Sequence, residues 1–426
     1  MRVKHIAPLV MLTAAALVLS ACSAGGEGQG AKNEDASAHS GTLTFGSWQW
    51  LEAGRGDVMW DIASGYEKVN DKAKMKQLAI PYKDFPTTMK TQIGAGSGPD
   101  IMVLVDTNFA EFAKAGVLEP LDNVLPAKQK ATLNSTNEGG VFDGKQLGLT
   151  WEVVNYALMW NNKILAKAGV EAPTDMASFL SAAKAIKEKT GLPGFAARHQ
   201  ISEETAWWED FSNWPYGFGG NWSEGGKLTI DRPENIAAVT AFKSMYDSGA
   251  MPIGDDASTF RTKFREGNIG MLIDNSSVAL SVTAGNAALT GMDVGASALP
   301  FPSPAAARSA VYVVINKNSK NKELAKDWLK WFFSEGVQTD MAAATAPSTI
   351  GTDAPMPAEF LAANPWVKAY TAQSKFTRSP IIDDFQEKFP QISHIVMKAL
   401  EKVMVNNADP AKALRDAQSE AEAVVK

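Results

Sequence analysis

Between residues 41 and 105 the chain alternates strand-like and helix-like stretches, which confines it to an α/β fold built around a parallel sheet. Residues 41–47 alternate polar and apolar side chains and predict a first strand. Residues 57–69 set Val58, Ile62, Tyr66 and Val69 at helical spacing. A second strand is expected at 75–80 and a helix at 84–93, closed by the glycine-rich 94–98. Pro99-Asp100 then leads into the apolar run 101–105, read as a third strand. Further helices are expected at 176–189, begun by Thr174 or Asp175, at 233–248 with Asp231 near its start, and at 322–334. The last helix runs to Val425, with Asp409 and Pro410 as N-cap and first turn.

The N-terminus bears on the compartment. Arg2 and Lys4 precede an almost wholly apolar stretch, 6–19, which is short for a membrane span of ~20 residues. A positive start, a short apolar core and small residues after it read as a signal peptide over 1–21. Leu19-Ser20-Ala21-Cys22 resembles the lipobox of bacterial lipoproteins, whose cysteine is acylated. Cys22 is the sole cysteine, so the exported chain has no internal disulfide and must hold by its core. Two acyl chains would anchor it stably. Residues 22–41 form the lipidated Cys and a linker. Residues 23–41 carry no aromatic residue and no Val, Ile or Leu, and predict a leash spanning roughly 25 Å. The expected location is extracytoplasmic, tethered to the membrane.

Composition and motif searches exclude several functions. The net charge of −6 and the scattered Lys and Arg argue against nucleic-acid binding. The glycines of 94–98 lie between a helix and a strand and are followed by Pro99, so they do not make a dinucleotide loop. No nucleophile elbow, Walker loop or H-E-x-x-H is present. His199 and His394 are far apart with no Cys partner, so no metal or other cofactor is expected. Arg55-Gly56-Asp57 matches a cell-adhesion tripeptide, a match short enough to arise by chance.

What remains is a set of aromatic and amide clusters at expected strand ends. Trp48-Gln49-Trp50 follows the first strand, and Trp151-Glu152 precedes the apolar run 153–159. Trp207, Trp208, Trp214 and Asn221-Trp222 fall within sixteen residues. In open α/β sheets ligands bind beyond the carboxyl ends of the strands. The apolar C–H face of a pyranose lies flat on Trp, while its hydroxyls need paired donors and acceptors. The alternative for each Trp is that it plugs a loop against the core.

Six segments, in order, resemble the extracellular solute-binding proteins of family 1, the group that includes maltose-binding and multiple-sugar-binding proteins. Gly98-Pro99-Asp100-Ile101 resembles the family's entry to its third strand. Gly148-Leu149-Thr150-Trp151 with 157–165, and then 168–174, resemble the two stretches that follow. Gly219-Gly220, 264–272 and 318–325 resemble the glycine pair and the two later motifs. Two positions depart from the pattern: Thr150 stands where the family often has Pro, and Trp160 where it usually has Tyr.

The resemblance, which runs from residue 42 to about 357, implies a two-lobe periplasmic-binding-protein-like fold with a hinge and an interlobe ligand cleft. Lobe 1 is expected at 42–153 and 275–330, and lobe 2 at 154–274 and 331–426. It implies a non-enzymatic, monomeric binding protein of an ABC importer that captures a carbohydrate and passes it to membrane permease subunits. By matched position, the expected ligand contacts are Trp48, Gln49, Trp50, Asp106, Trp151, Glu152, Asn155, Tyr156, Trp207, Trp208, Trp222, Asp274, Asn275 and Tyr312. Asp106 also reads as a helix N-cap before 107–111. Other readings are a binding protein for a polyamine, with Glu152, Glu209 and Asp210 as its acids, or for a phosphate-containing solute. A lipoprotein glycosidase is a further one, needing two carboxylates ~5–10 Å apart.

Overall fold

The computed structural model describes residues 39–52, 54–283 and 287–426. The expected signal peptide, Cys22 and all but the end of the expected leash lie outside the described residues. The chain opens with strand β1 (Gly41–Ser47), helix α1 (Gly56–Ser64), β2 (Ala73–Ala79), α2 (Phe85–Gly94), β3 (Ile101–Val105) and α3 (Asp106–Lys114). β1 pairs in parallel with both β2 and β3, as the alternation demanded. All five residues of β3 are buried, the mark of a strand covered on both faces.

A thirteen-residue strand, β4 (Leu149–Asn161), follows. Then come α4 (Met176–Thr190), the short β5 (Phe195–Ala196), α5 (Glu204–Phe211), α6 (Pro233–Tyr246) and α7 (Ala257–Arg265). Next are β6 (Met271–Asn275), β7 (Val294–Ser297) and β8 (Ala306–Ile315). Helices α8 (Lys322–Phe332), α9 (Glu335–Thr345) and α10 (Val367–Gln373) lead to the short β9 (Thr377–Arg378) and to α11 (Phe389–Asn406) and α12 (Pro410–Val425). Asp175 caps α4 through a capping box with Ser178, and Asp409 caps α12 through the backbone N–H of Lys412. Asp231 does not cap α6: Arg232 occupies that place, without a side-chain bond, because Pro233 at the first helical position already fixes the entry.

The nine strands form one sheet in the order β2-β1-β3-β8-β4-β6-β5, with β7 on β4 and β9 on β8. Two strands carry the chain from one core to another. β4 gives Leu149, Trp151 and Val153 to a first core, and Tyr156 and Leu158 to a second. β8 gives Ala306 and Ala307 to the second, and residues 310–315 to the first. Where they pair, the register slips between Val311 and Tyr312, a bulge that bends the ladder at the crossing. Alternate residues of β4 and β6 (Ala157, Met159, Leu272) enter a third core, so helices cover both faces of that half of the sheet.

Core membership departs from the expected lobe boundaries at two places. Val278, Ala279, Val282, Leu289 and Val294 pack with Phe260 and Ala157 in the third core, not in the first. In the other direction, α8 and α9 stay with the first core through Phe332, Phe333, Met341 and Ile350, beyond the expected switch at 331. The reason is aromatic: Phe332 lies between Trp328 and Trp151, stacked at 4.8 and 4.9 Å. Among the described residues no helix is long and apolar enough to cross a membrane.

Candidate functional site

The first and second cores meet along a seam where loops at the carboxyl ends of the strands face each other. From the first core come Trp48, after β1, Tyr82, after β2, and Asp106 and Thr107, after β3. From the second come Glu209 of α5 and Ser379, just after β9. The hydroxyl of Tyr82 donates to both oxygens of Glu209 at 3.2 and 3.3 Å, and Thr107 Oγ1 donates to Glu209 Oε1 at 3.3 Å. Ser379 Oγ donates to Asp106 Oδ2 at 3.2 Å. Trp48 sets its edge against Tyr82 at 5.1 Å, and these two line a small cavity with Phe85, Leu104 and Asn108. An exposed ion pair, Lys114 to Glu387 at 2.8 Å, spans the rim.

The carboxylates of the seam are buried, Glu209 to 6 % exposure and Asp106 to 8 %. Burial pushes Glu209 up to about 8, with the charges of Asp106 and Asp210 adding to it and Arg198 and the Tyr82 bond opposing. Burial likewise pushes Asp106 up to about 6, against the pull of Arg308 and the bonds from Ser379 and Thr107. Asp106 is the first residue of α3, and its Oδ1 accepts the N–H of Thr107 at 2.9 Å. The N-cap position itself belongs to Val105, and the Asp106 side chain makes no capping bond, since it reaches only the adjacent N–H; its other oxygen accepts from Ser379.

Behind the seam the other expected polar residues are held in ion pairs. Glu152 accepts from Arg55 at 2.8 Å and from the Gln49 amide. Tyr156 donates to Asp210 Oδ1 at 2.8 Å, while Arg198 binds the other oxygen at 2.6 Å. Burial beside Asp210 holds the Tyr156 phenol well above its ordinary range. Asp274 takes a bidentate grip from Arg261 at 2.7 and 2.8 Å. Because Arg55 is 1 % exposed and committed to Glu152, the Arg55-Gly56-Asp57 tripeptide is not an accessible adhesion motif.

The structure thus brings Trp48 and Asp106 into the seam, with Tyr312 near Asp106 and packed on Phe109 at 5.0 Å. It places the remaining expected residues elsewhere. Trp50 donates to the Phe45 carbonyl inside the first core, and Trp151 stacks on Phe332 there. Trp207 is fully buried, and Trp208 stacks on Trp222 at 4.9 Å in the second core. Asn155 binds the Tyr370 carbonyl, and Asn275 accepts from Ser277 at the start of a helix. The seam residues not singled out as contacts are Tyr82, Thr107, Glu209, Arg308 and Ser379. Tyr82 carries the same signal as Trp48, an aromatic just past a strand, and Glu209 adjoins Trp208. Ser379 has no local signal.

Two lobes joined by crossing strands, with the loops at strand ends facing across a seam, can be set beside known proteins. The model of the bacterial extracellular solute-binding protein family matches residues 50–339. The chain belongs to that family. The diacetylchitobiose-binding protein DasA of Streptomyces coelicolor is 27 % identical over 352 residues, 76 % of this chain and 77 % of that one. The galactooligosaccharide-binding protein of Bacillus subtilis is 22 % identical over 434 residues, 99 % of this chain and 98 % of its own. The GacH receptor of Streptomyces glaucescens, solved unliganded and with acarbose, superposes with a TM-score of 0.79 at 22 % identity, covering 90 % of this chain and 98 % of that one. The fold of this solute-binding protein is accordingly the two-lobe one of its neighbours.

Proposed function

We propose that this solute-binding protein captures a carbohydrate, an oligosaccharide above all, between its two lobes and delivers it unchanged to the permease of an ABC importer. The observation that carries the reading is the seam itself: aromatic faces of Trp48 and Tyr82 stand beside the carboxylates of Asp106 and Glu209 and the hydroxyls of Thr107 and Ser379. Aromatic planes suit the C–H face of a pyranose, and carboxylate and hydroxyl oxygens suit its hydroxyls. The saccharides named for DasA, the galactooligosaccharide-binding protein and GacH support the same class. The solute touches both lobes when they are closed, so it shifts the population to the closed state by that differential affinity. Cys22, acylated, tethers the chain to the membrane.

A second reading, a polyamine, is favoured by one feature: Asp106 and Glu209 have no ion-pair partner among the described residues. A thermal-shift screen of the Cys22→Ser chain separates the two. The panel holds mono- and oligosaccharides, polyamines and phosphate esters. A ligand at a hundredfold excess over its Kd stabilises the folded state by about 2.7 kcal/mol. The proposal predicts a shift with a saccharide. A shift with polyamines alone installs the second reading, and a shift with phosphate esters alone overturns both.

A further inference from the structure

Asp106 and Glu209 come from opposite lobes and face each other across the seam with hydroxyl partners, Ser379 for one and Tyr82 and Thr107 for the other. The other buried carboxylates around them are neutralised: Glu152 by Arg55, Asp210 by Arg198 and Asp274 by Arg261. Two unpaired carboxylates cannot both be brought out of water and against each other while charged without a large cost. We infer that closure of the lobes takes up a proton at the facing Asp106–Glu209 pair. This rests on the proposed opening and closing of the cleft and adds a pH dependence to it.

The surroundings of the pair decide the sign. Glu209 is faced by Asp106 from α3, by Tyr82 from the loop after β2, by its neighbour Asp210 on α5, and by Arg198, whose guanidinium is committed to Asp210 and Glu203. Asp106 is faced by Arg308 and Tyr312 of β8, by Tyr82, by Tyr216 from the segment after α5 and by Ser379, with no ion pair formed to Arg308. In the closed seam Glu209 is pushed up to about 8 from its ordinary 4.5, and Asp106 up to about 6 from 3.8. Opening the seam returns both to water and towards the ordinary values. A carboxyl whose pKa is higher in the closed state favours closure fully below its open-state value. That preference falls tenfold for each pH unit up to the closed-state value and is constant above it. For Glu209 the window is about 4.5 to 8, and Asp106 contributes a second proton below about 6.

The test uses the Cys22→Ser chain with one dye on each lobe, at Lys128→Cys and Lys184→Cys, both exposed positions. Single-molecule energy transfer then reads the closed-to-open ratio without added solute. The inference predicts a fall of about fifteenfold from pH 6 to 7 and about fivefold from 7 to 8, levelling towards pH 9. Glu209→Gln, neutral at every pH, removes the fall above pH 7. A wild-type ratio that stays level from pH 6 to 8, or a fall that persists in Glu209→Gln, overturns the inference. A chain that binds a saccharide in the thermal screen but shows the level ratio loses this proton linkage and retains its proposed function.

Discussion

At the residue scale, two buried carboxylates do different jobs. Asp106 stands in the seam with one oxygen on its own helix and the other on Ser379, across the lobes. Replacing it with Ala is expected to weaken saccharide binding by ~1–3 kcal/mol, roughly five- to 150-fold in Kd, while thermal stability without ligand stays nearly unchanged; titration calorimetry reads the first and a melting curve the second. Glu152 is buried in the first core, with Arg55 and Gln49 bonded to it. Glu152→Ala removes the nearer of two carboxylates from the buried Arg55 and leaves it Glu52 at 3.4 Å, so a loss of ~1–3 kcal/mol in urea unfolding is expected. From sequence, Asp106 was legible because a strand, an acid and a helix follow one another there. The tryptophans were not. Trp48 and Trp50 are two residues apart on one loop, yet what sends one to the seam and the other to the core is contact with Tyr82 in the first case and with Phe45, Trp60 and Trp151 in the second. Tyr82 and Trp151 come from distant parts of the chain, so the local sequence does not tell the two tryptophans apart.

At the scale of elements, the strongly periodic segments were readable and the crossings were not. β3 and α12 start and stop where apolar runs, caps and prolines place them. β4 reads in sequence as a short motif and a separate apolar run, but it is one strand, because its two halves pair with different neighbours on either side of the crossing. The departure at Thr150 has a local cause. Its N–H donates to Asn137 Oδ1 at 2.9 Å, a bond that proline, with no N–H, cannot make. Restoring the family's residue with Thr150→Pro strands the buried Asn137 acceptor and should cost ~1–3 kcal/mol in urea unfolding. An unchanged midpoint would mean that this bond contributes nothing to stability. Core membership beyond β8 is likewise set by packing: α8 and α9 stay with the first core, into which β8 has already run, through the stacking of Trp328 and Phe332.

At the scale of the whole molecule, the proposed function joins a two-lobe binding protein to a lipid tether at Cys22. Cys22→Ser is expected to move the protein from the membrane fraction to the soluble fraction, read by fractionation and blotting, with binding retained. Membrane retention of that variant would remove the lipid anchor from the account. The central claim is that a saccharide draws the two lobes together. Small-angle X-ray scattering of the Cys22→Ser chain, with and without a saturating amount of the saccharide that stabilises it most, tests this most directly. The account predicts a smaller radius of gyration with the saccharide present. The same radius with and without a saccharide that demonstrably binds would contradict it.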